Sequence, residues 1–421
     1  MMKIEKSQIV SAVEFGTSKI SVIIGQYDKV GMVKVLGFAH HPSEGSVCKG
    51  EIVDMPKAVN IFNNVLSKAE DIANTEWDSE NVYIAVTGSH INSVAGSGTV
   101  VIENPEQRVE NKHIHDAFQI ASIISNLDHD RIKINSIAGH FFIDDRICKT
   151  PLDQIACKLE VNSHIVTGSR ARIENMLSPL KDAHVNNPQP VFSGLASAMV
   201  AINDKEQEKG VLFIDIGAGT TEYLLLYEQG IYSSGTIAIG IDHIINDIAI
   251  AFQISFNEGI TVYDAVTKNS IEANSYIEIK NEFEKKSLHS RKIQADTVFT
   301  IMKLRLDELF EIVKKKSKIQ TDQKNSAALV VITGGGALLD ITLECANSIF
   351  KIPIRINKQN NLNKFANYDQ ELLSPRFTLI AGLLEHGLKH SNKSSVIQNL
   401  DRDITMMLSK VIKKVKTVLK M

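Results

Sequence analysis

The stretch "VLFIDIGAGTTEYLLLYEQG", Val211 to Gly230, decides how the rest of the chain is read. An apolar run, Val211–Ile214, stops at Asp215, crosses Gly217, Ala218, Gly219 and the pair Thr220–Thr221, and turns apolar again over Tyr223–Tyr227. Runs of this bulk and length suit the two strands of a hairpin. The glycines let backbone come close to a ligand. N–H groups, hydroxyls and one carboxylate gathered in a single turn can hold phosphate oxygens and a hydrated Mg²⁺. Taken alone, an ordinary hairpin with a Gly-rich turn has the same appearance.

The pattern occurs twice. Near the start, "IVSAVEFGTSKISVIIGQYD" (Ile9 to Asp28) again runs strand, acid, glycine, hydroxyls, strand. Glu14, Gly16, Thr17, Ser18 and Lys19 take the places of Asp215, Gly217, Gly219 and Thr220–Thr221. Two such hairpins suggest related half-domains that face each other across a cleft. A third element, "LVVITGGGALLDITLECANSIF" (Leu329 to Phe350), is a strand, the glycines Gly334, Gly335 and Gly336, then a helix. Glycines there let a backbone pack flat against a base or ribose. No Lys-Ser/Thr follows, so it is not a Walker loop, and the spacing is not the GxGxxG of dinucleotide folds. Together the three elements predict an α/β fold with ATP between two lobes. Mg²⁺ would be positioned through water by Glu14 and Asp215, with no direct protein ligand. Gly240 and Asp242, at the start of the helical run "GIDHIINDIAIAF", join the expected nucleotide-binding set.

Bulk composition agrees with a soluble multidomain protein. The 421 residues are 43% hydrophobic and 23% charged, with a formal net charge of −3. Nothing in that balance draws the chain to nucleic acid. Cys48, Cys148, Cys157 and Cys345 are scattered without metal or CxxC spacing, as expected of thiols in a reducing compartment. No secretory signal is expected, because the N-terminus leads at once into a strand. No apolar run reaches the ~18 residues that suggest a membrane span.

The organisation follows from the repeat and its interruption. Residues 1–82 read as the N-terminal part of the first lobe. They contain a helix in "PKAVNIFNNVLSKAEDIA" that starts at Pro56. Residues 83–166 are strand-rich and break the repeat, as an inserted α+β subdomain would. Residues 167–204 return to the first lobe, and 205–256 open the second lobe with its phosphate hairpin. Residues 257–320 read as a charged helical subdomain, in which Lys314–Lys316 fit a solvated helix end. Residues 321–388 complete the second lobe with the adenosine motif, and 389–400 form a polar linker.

The last segment, 401–421, contains "DRDITMMLSKVIKKVKTVLKM". Ile404, Met407, Leu408, Val411, Ile412, Val415, Val418 and Leu419 fall on one helical stripe, flanked by lysines that include Lys413, Lys414 and Lys416. A helix docked on the body is one reading. A lysine-only polar face after a polar linker fits an interfacial membrane helix better.

The motifs "VEFGTSK", "GLASA", "IDIGAGTTE", "GIDHIINDIA" and "VITGGGA", with the basic amphipathic terminus, occur in the order seen in actin-like ATPases. The insertion and the tail make the chain similar to the FtsA family of bacterial cell-division proteins over essentially its whole length. That resemblance implies an ATP-binding protein that polymerises on the cytoplasmic face of the inner membrane at the division site. It implies tethering of FtsZ filaments by their C-terminal peptide and recruitment of later divisome membrane proteins. The peptide pocket would lie in 257–320, where Arg291, Lys292, Lys303 and Arg305 are the basic candidates. Glu14 and Glu222 stand where the family usually has Asp, and Ala218 where glycine is frequent. A longer carboxylate displaces water or metal by about a bond length, so hydrolysis is expected to be slow at most.

Readings from other classes make different demands. A sugar or acetate kinase needs a carboxylate base in a substrate pocket and has no use for a lysine-striped tail. A pilus-assembly adaptor of the PilM type shares the insertion but generally lacks the amphipathic terminus. A chaperone would need a large peptide-binding domain after the ATPase.

Overall fold

The computed structural model describes residues 9–28, 31–103, 106, 108–123, 127–227, 230–268, 274–280, 290–319, 327–358 and 360–391. The first lobe begins with β1 (Val10–Phe15), β2 (Lys19–Tyr27), β3 (Val33–Pro42), the short pair β4 (Val47–Cys48) and β5 (Glu51–Ile52), α1 (Met55–Ala73) and β6 (Val82–Val86). The insertion holds β7 (Asn92–Val101), α2 (Asn111–Ala121), β8 (Arg131–Ile143), β9 (Arg146–Cys148) and β10 (Lys158–Ser169). The chain returns through α3 (Arg170–Asp182), β11 (Gln189–Phe192) and α4 (Ser193–Ala201). The second lobe runs α5 (Asp204–Lys209), β12 (Val211–Ile216), β13 (Thr221–Tyr227), β14 (Gly230–Ile237), α6 (Ile241–Phe252), α7 (Phe256–Lys268), β15 (Tyr276–Lys280), β16 (Ser290–Gln294) and α8 (Ala295–Ser317). It ends with β17 (Leu329–Thr333), α9 (Thr342–Phe350) and β18 (Ile354–Ile356); β19 (Phe365–Ala366) and α10 (Thr378–Ser391) go back to the first lobe.

The two lobes repeat one topology. The first sheet has the order β11-β6-β1-β2-β3-β19 and the second β18-β17-β12-β13-β14. Each is an antiparallel three-strand meander whose first strand gains a parallel neighbour, β6 on β1 and β17 on β12. The central strands VSAVEF and VLFIDI are buried along their whole length, which is why they read as unbroken apolar runs rather than alternating ones. Helix α1 is capped by Asp54, which accepts from the Lys57 amide at 3.1 Å, and it buries Ile61, Phe62, Val65 and Ala69. Helices α4 and α10 cross between the lobes. A side chain on Gly382 would collide with the Ala196 carbonyl, so glycine sets how closely the two helices approach.

The insertion is a four-stranded sheet, β7-β10-β8-β9, with α2 on one face. Its other face touches the second lobe. His164 on β10 lies 2.7 Å from the Ser234 hydroxyl on β14, and Ser93 donates to the Ser234 carbonyl at 2.9 Å.

Four expectations change. Residues 83–86 belong to β6 of the first-lobe sheet rather than to the insertion, whose strand β10 runs on to Ser169. Residues 365–388 do not complete the second lobe, because β19 pairs with β3 and α10 packs in the first-lobe core. The segment 257–320 is not wholly helical, because β15 and β16 pair as an antiparallel hairpin. In "YIEIK" the period is two: Ile277 and Ile279 are buried, while Glu278 meets Lys292 at 3.4 Å on the exposed side. Helix α10 continues to Ser391, so residues 389–391 belong to it rather than to a linker. The remainder of the linker and the amphipathic segment 401–421 lie outside the described residues.

Candidate functional site: the cleft between two hairpin turns

The turns after β1 and β12 share one geometry. The Gly16 amide donates to the Lys19 carbonyl at 2.8 Å, and the Gly217 amide to the Thr220 carbonyl at 2.9 Å. Lys19 therefore stands where Thr220 stands, a register the motif comparison alone did not settle. Cross-strand pairing then sets Glu14 opposite Ser21 and Asp215 opposite Glu222. The carbonyls of Gly217 and Ala218 accept from the Ile241 and Asp242 amides at 3.1 and 2.9 Å. Gly240 permits this, since a side chain there would strike the Ala218 carbonyl. Gly240 and Asp242 thus buttress the turn, and the first amides of α6 are spent on it.

What remains at the tips is a set of donors. Among the described residues, the amides of Thr17, Ser18, Ala218 and Gly219 have no intramolecular acceptor. The tips meet across the lobes. A Cβ on Gly219 would collide with Thr17 Oγ1 and lie 2.9 Å from the Lys49 nitrogen. Unspent amides at adjoining turn tips can line an anion-binding concavity.

The charges beneath the tips are buried. Lys19 Nζ donates to Glu14 Oε1 at 2.9 Å, and Glu14 Oε2 is buried with no partner. Asp215 and Glu222 are directly opposed on neighbouring strands. Burial pushes the Asp215 carboxyl above its usual range, and the Glu14 charge adds to the rise while Lys19 opposes it. Glu222 is pushed up by burial first and by Asp215 second. The Thr87 hydroxyl, from the end of β6 in the other lobe, donates to Glu222 and ties the lobes together. Burial also raises Asp242 to about 6, with Lys49 acting against it.

The triple glycine divides its work. Gly334 has φ 85°, and a side chain on it would strike Asp215 Oδ1; Gly336 is pressed on Ile216; Gly335 alone has open space at its Cβ position. Two of these glycines serve packing, and one presents bare backbone.

The cleft suits a hydrated divalent cation. Among the described residues no group of three or more His, Cys, Asp or Glu is arranged to ligate a metal directly. The orphaned Glu14 Oε2 and the Asp215 carboxyl would serve as acceptors for metal-bound water, since Mg²⁺ retains several waters in sites of this kind.

Two of the basic candidates of the 257–320 region are engaged by acids of neighbouring helices. Arg305 makes a bidentate pair with Asp247 on α6 at 2.6 and 2.9 Å, and Lys303 pairs with Glu344 on α9. Arg291 and Lys292 lie on β16. Sequence reasoning also missed Thr87 and the loop Ser43–Gly50. In that loop Ser43 donates to the Thr17 carbonyl, and its amide to the Ser18 carbonyl at 3.2 Å, stitching the loop to the first turn. The small residues of "PSEGSVCKG" were the only signal, and they mark any tight loop.

Comparison with known proteins places this architecture. The family model for cell division protein FtsA matches residues 212–382, and that for the SHS2 domain inserted in FtsA matches 88–167, together more than half of the chain. The cell division protein FtsA of Escherichia coli (strain K12) is 26% identical over 410 residues, covering 94% of this chain and 95% of the relative. That of Borreliella burgdorferi is 26% identical, covering 91% and 92%. Among solved structures, the PilM-PilN type IV pilus biogenesis complex aligns with a TM-score of 0.60 at 15% identity, over 90% of this chain and 98% of the other. MreB5 of Spiroplasma citri bound to ADP aligns with a TM-score of 0.51 at 12% identity, over 90% and 95%. Those two likenesses concern the fold, which is actin-like. The matched second lobe, the matched insertion and the near full-length relatives agree: the chain belongs to the FtsA family of bacterial cell-division proteins.

Proposed function

We propose that the chain binds Mg²⁺-ATP between its two turns and serves cell division as a membrane-bound, polymerising tether for FtsZ. The observation that carries the nucleotide reading is the pair of turn tips, which meet across the lobes with four unspent amides and buried acids at their base. Thr17 and Ser18 would hold phosphate oxygens from one lobe, and Ala218 and Gly219 from the other. Glu14 and Asp215 would accept hydrogen bonds from the waters of Mg²⁺, which when bound neutralises phosphate charge. Gly335 would lie against the base or ribose. The ADP-bound MreB5 neighbour lends support at the level of fold. Lys19, bonded to Glu14, keeps that acid from acting freely as a base, and the longer Glu222 is occupied by Thr87. Slow turnover is the consequence, with nucleotide acting mainly as a ligand that stabilises the closed, filament-forming state.

For the FtsZ peptide, burial and pairing favour hairpin β15–β16. An acidic peptide meets exposed Lys292 against a solvent-screened partner, Glu278, at small cost. To reach Arg305 it must displace the bidentate Asp247. Membrane attachment would rest on the segment 404–421. Full burial of an aliphatic side chain yields ~1.5–3 kcal/mol, and each lysine near an anionic surface adds about 1 kcal/mol. Shallow insertion captures part of this, enough for reversible binding of a monomer and firm binding of a filament.

The test is co-sedimentation with liposomes containing anionic lipid, with and without FtsZ, for the full chain, Val411→Glu, Ile412→Glu and a chain lacking 404–421. The variants should stay in solution, still bind ATP, and fail to bring FtsZ to the liposomes. Sedimentation equal to that of the unmodified chain would make the segment structural and end the membrane reading.

A further inference from the structure

The loop between β3 and β5 does more than close a hairpin. It is anchored on the first turn by Ser43, and Ser46 donates to the Ser43 carbonyl at 2.6 Å. At its far end Lys49 and Gly50 both adopt left-handed conformations, φ 49° and 79°, which double the chain back across the cleft. That places the Lys49 nitrogen and Cα against Gly219, at 2.9 and 3.0 Å from where a Cβ would stand. Gly50 backs onto Thr87, the residue that bonds Glu222. One first-lobe loop therefore touches both the tip of the second turn and the cross-lobe hydrogen bond.

The Lys49 side chain is exposed and makes no ion pair within 4 Å among the described residues. Its charge nonetheless bears on Asp242 and His243, at the mouth of the cleft on α6, holding both titrations lower than they would otherwise be. With the Lys49 backbone against Gly219, its long side chain starts at the rim of the cleft and is within reach of it. Charge balance gives its ammonium a task. Glu14, Asp215 and Glu222 are buried around the cleft, and Lys19, the buried cation among them, is already bonded to Glu14. A nucleotide triphosphate brings about four more negative charges at neutral pH, of which Mg²⁺ offsets two. A cation that can swing from solvent onto the terminal phosphate supplies part of the remainder.

Resting on the nucleotide reading above, we propose that Lys49 is a phosphate-binding residue of the cleft, delivered by the first lobe to the terminal phosphate of a bound nucleoside triphosphate. Contact with the terminal phosphate makes it a sensor of the triphosphate over the diphosphate. Because the loop is stitched to Thr17 and Ser18, the contact also closes the lobes.

The test is calorimetric titration of the full chain with Mg²⁺-ATP and Mg²⁺-ADP, for the unmodified protein, Lys49→Met and Lys49→Arg. Methionine keeps the loop packing and can occupy the same left-handed backbone no worse than lysine. Lys49→Met should weaken ATP about tenfold, the effect of losing one charge-assisted hydrogen bond, while ADP changes less than about twofold. Lys49→Arg should keep most of the preference. Equal losses for ATP and ADP in Lys49→Met would assign the residue to packing and overturn the proposal, as would no loss at all. If the unmodified protein bound neither nucleotide, the nucleotide reading would fall and this proposal with it.

Discussion

The two hairpin turns have one backbone and opposite chemistry. In the first, the acid at the end of the strand is neutralised within its own turn, Glu14 by Lys19, and the residue across the ladder is Ser21. In the second, Asp215 faces Glu222, the cation's place is taken by Thr220, and two buried carboxyls accumulate side by side. Like charges directly opposed on a ladder destabilise it. The first turn is thus a buried ion pair, with one Glu14 oxygen left over, that positions amides. The second holds two acids whose ionisation burial and each other's proximity oppose, and which a bound cation would favour. Duplication supplied the cradle, and divergence of three positions supplied the polarity.

The difference can be broken from either side, and the largest effect belongs to the first turn. Lys19→Ala leaves Glu14 buried without its counter-charge and should lower unfolding stability by about 3–5 kcal/mol at neutral pH, read by denaturant titration. Glu14→Gln should act in the same direction, since it strands the lysine.

The same change at the other acid should have the opposite sign. Glu222 and Asp215 both titrate above their usual range. Such a group binds its proton more tightly in the native than in the unfolded chain. Stability is therefore lost as pH rises from the unfolded carboxylate value, about 4, through the raised native one. Glu222→Gln removes that loss and should stabilise the protein by on the order of 2 kcal/mol at pH 8, with little gain near pH 4. Destabilisation at pH 8 would show that Glu222 is a net asset held by Thr87 rather than an acid whose ionisation burial opposes.

Smaller effects compare the tips. Gly219→Ala has no room beside Thr17 and Lys49. It should cost about 1–3 kcal/mol through overpacking and hold the lobes apart, visible as increased hydrogen exchange in β4 and β5. Ser18→Ala, at the equivalent place in the first turn, removes an exposed hydroxyl with no hydrogen bond among the described residues and should stay within about 0.5 kcal/mol. Similar costs at both tips would mean that the turns are not pressed together in solution.

Much of this architecture was legible in the sequence because it is written in local signals. Strands buried on both faces read as apolar runs, so β1 and β12 were visible, and with them the duplication. Pro56 marked the start of α1, and the break in the repeat marked the insertion, although residues 83–86 prove to be the rest of β6 in the first lobe. The hairpin β15–β16 was hidden by charge, because Glu278 and Lys292 satisfy each other only once the strands pair. The site was half legible. Acids, hydroxyls and glycines of the turns announce a phosphate cradle, but the partners that decide their roles come from elsewhere in the chain. Thr87 reaches Glu222 from the other lobe, Lys49 reaches Gly219, and Asp247 and Glu344 claim the charges of Arg305 and Lys303. Pairings over such separations leave no periodicity to read.

If the second turn's acid holds hydrated Mg²⁺ on a nucleotide cradled by both tips, affinity depends on both the metal and Asp215. The most direct test is calorimetric titration of Mg²⁺-ATP into the full chain and its Asp215→Ala variant, with and without EDTA, beside a thermal melt of each. Chelation should weaken binding to the unmodified protein, Asp215→Ala should weaken it at least about tenfold, and the variant should melt no lower, because an acid that burial holds above its usual range has been removed. Unchanged, Mg²⁺-dependent ATP affinity in a well-folded Asp215→Ala variant would contradict the role given to Asp215.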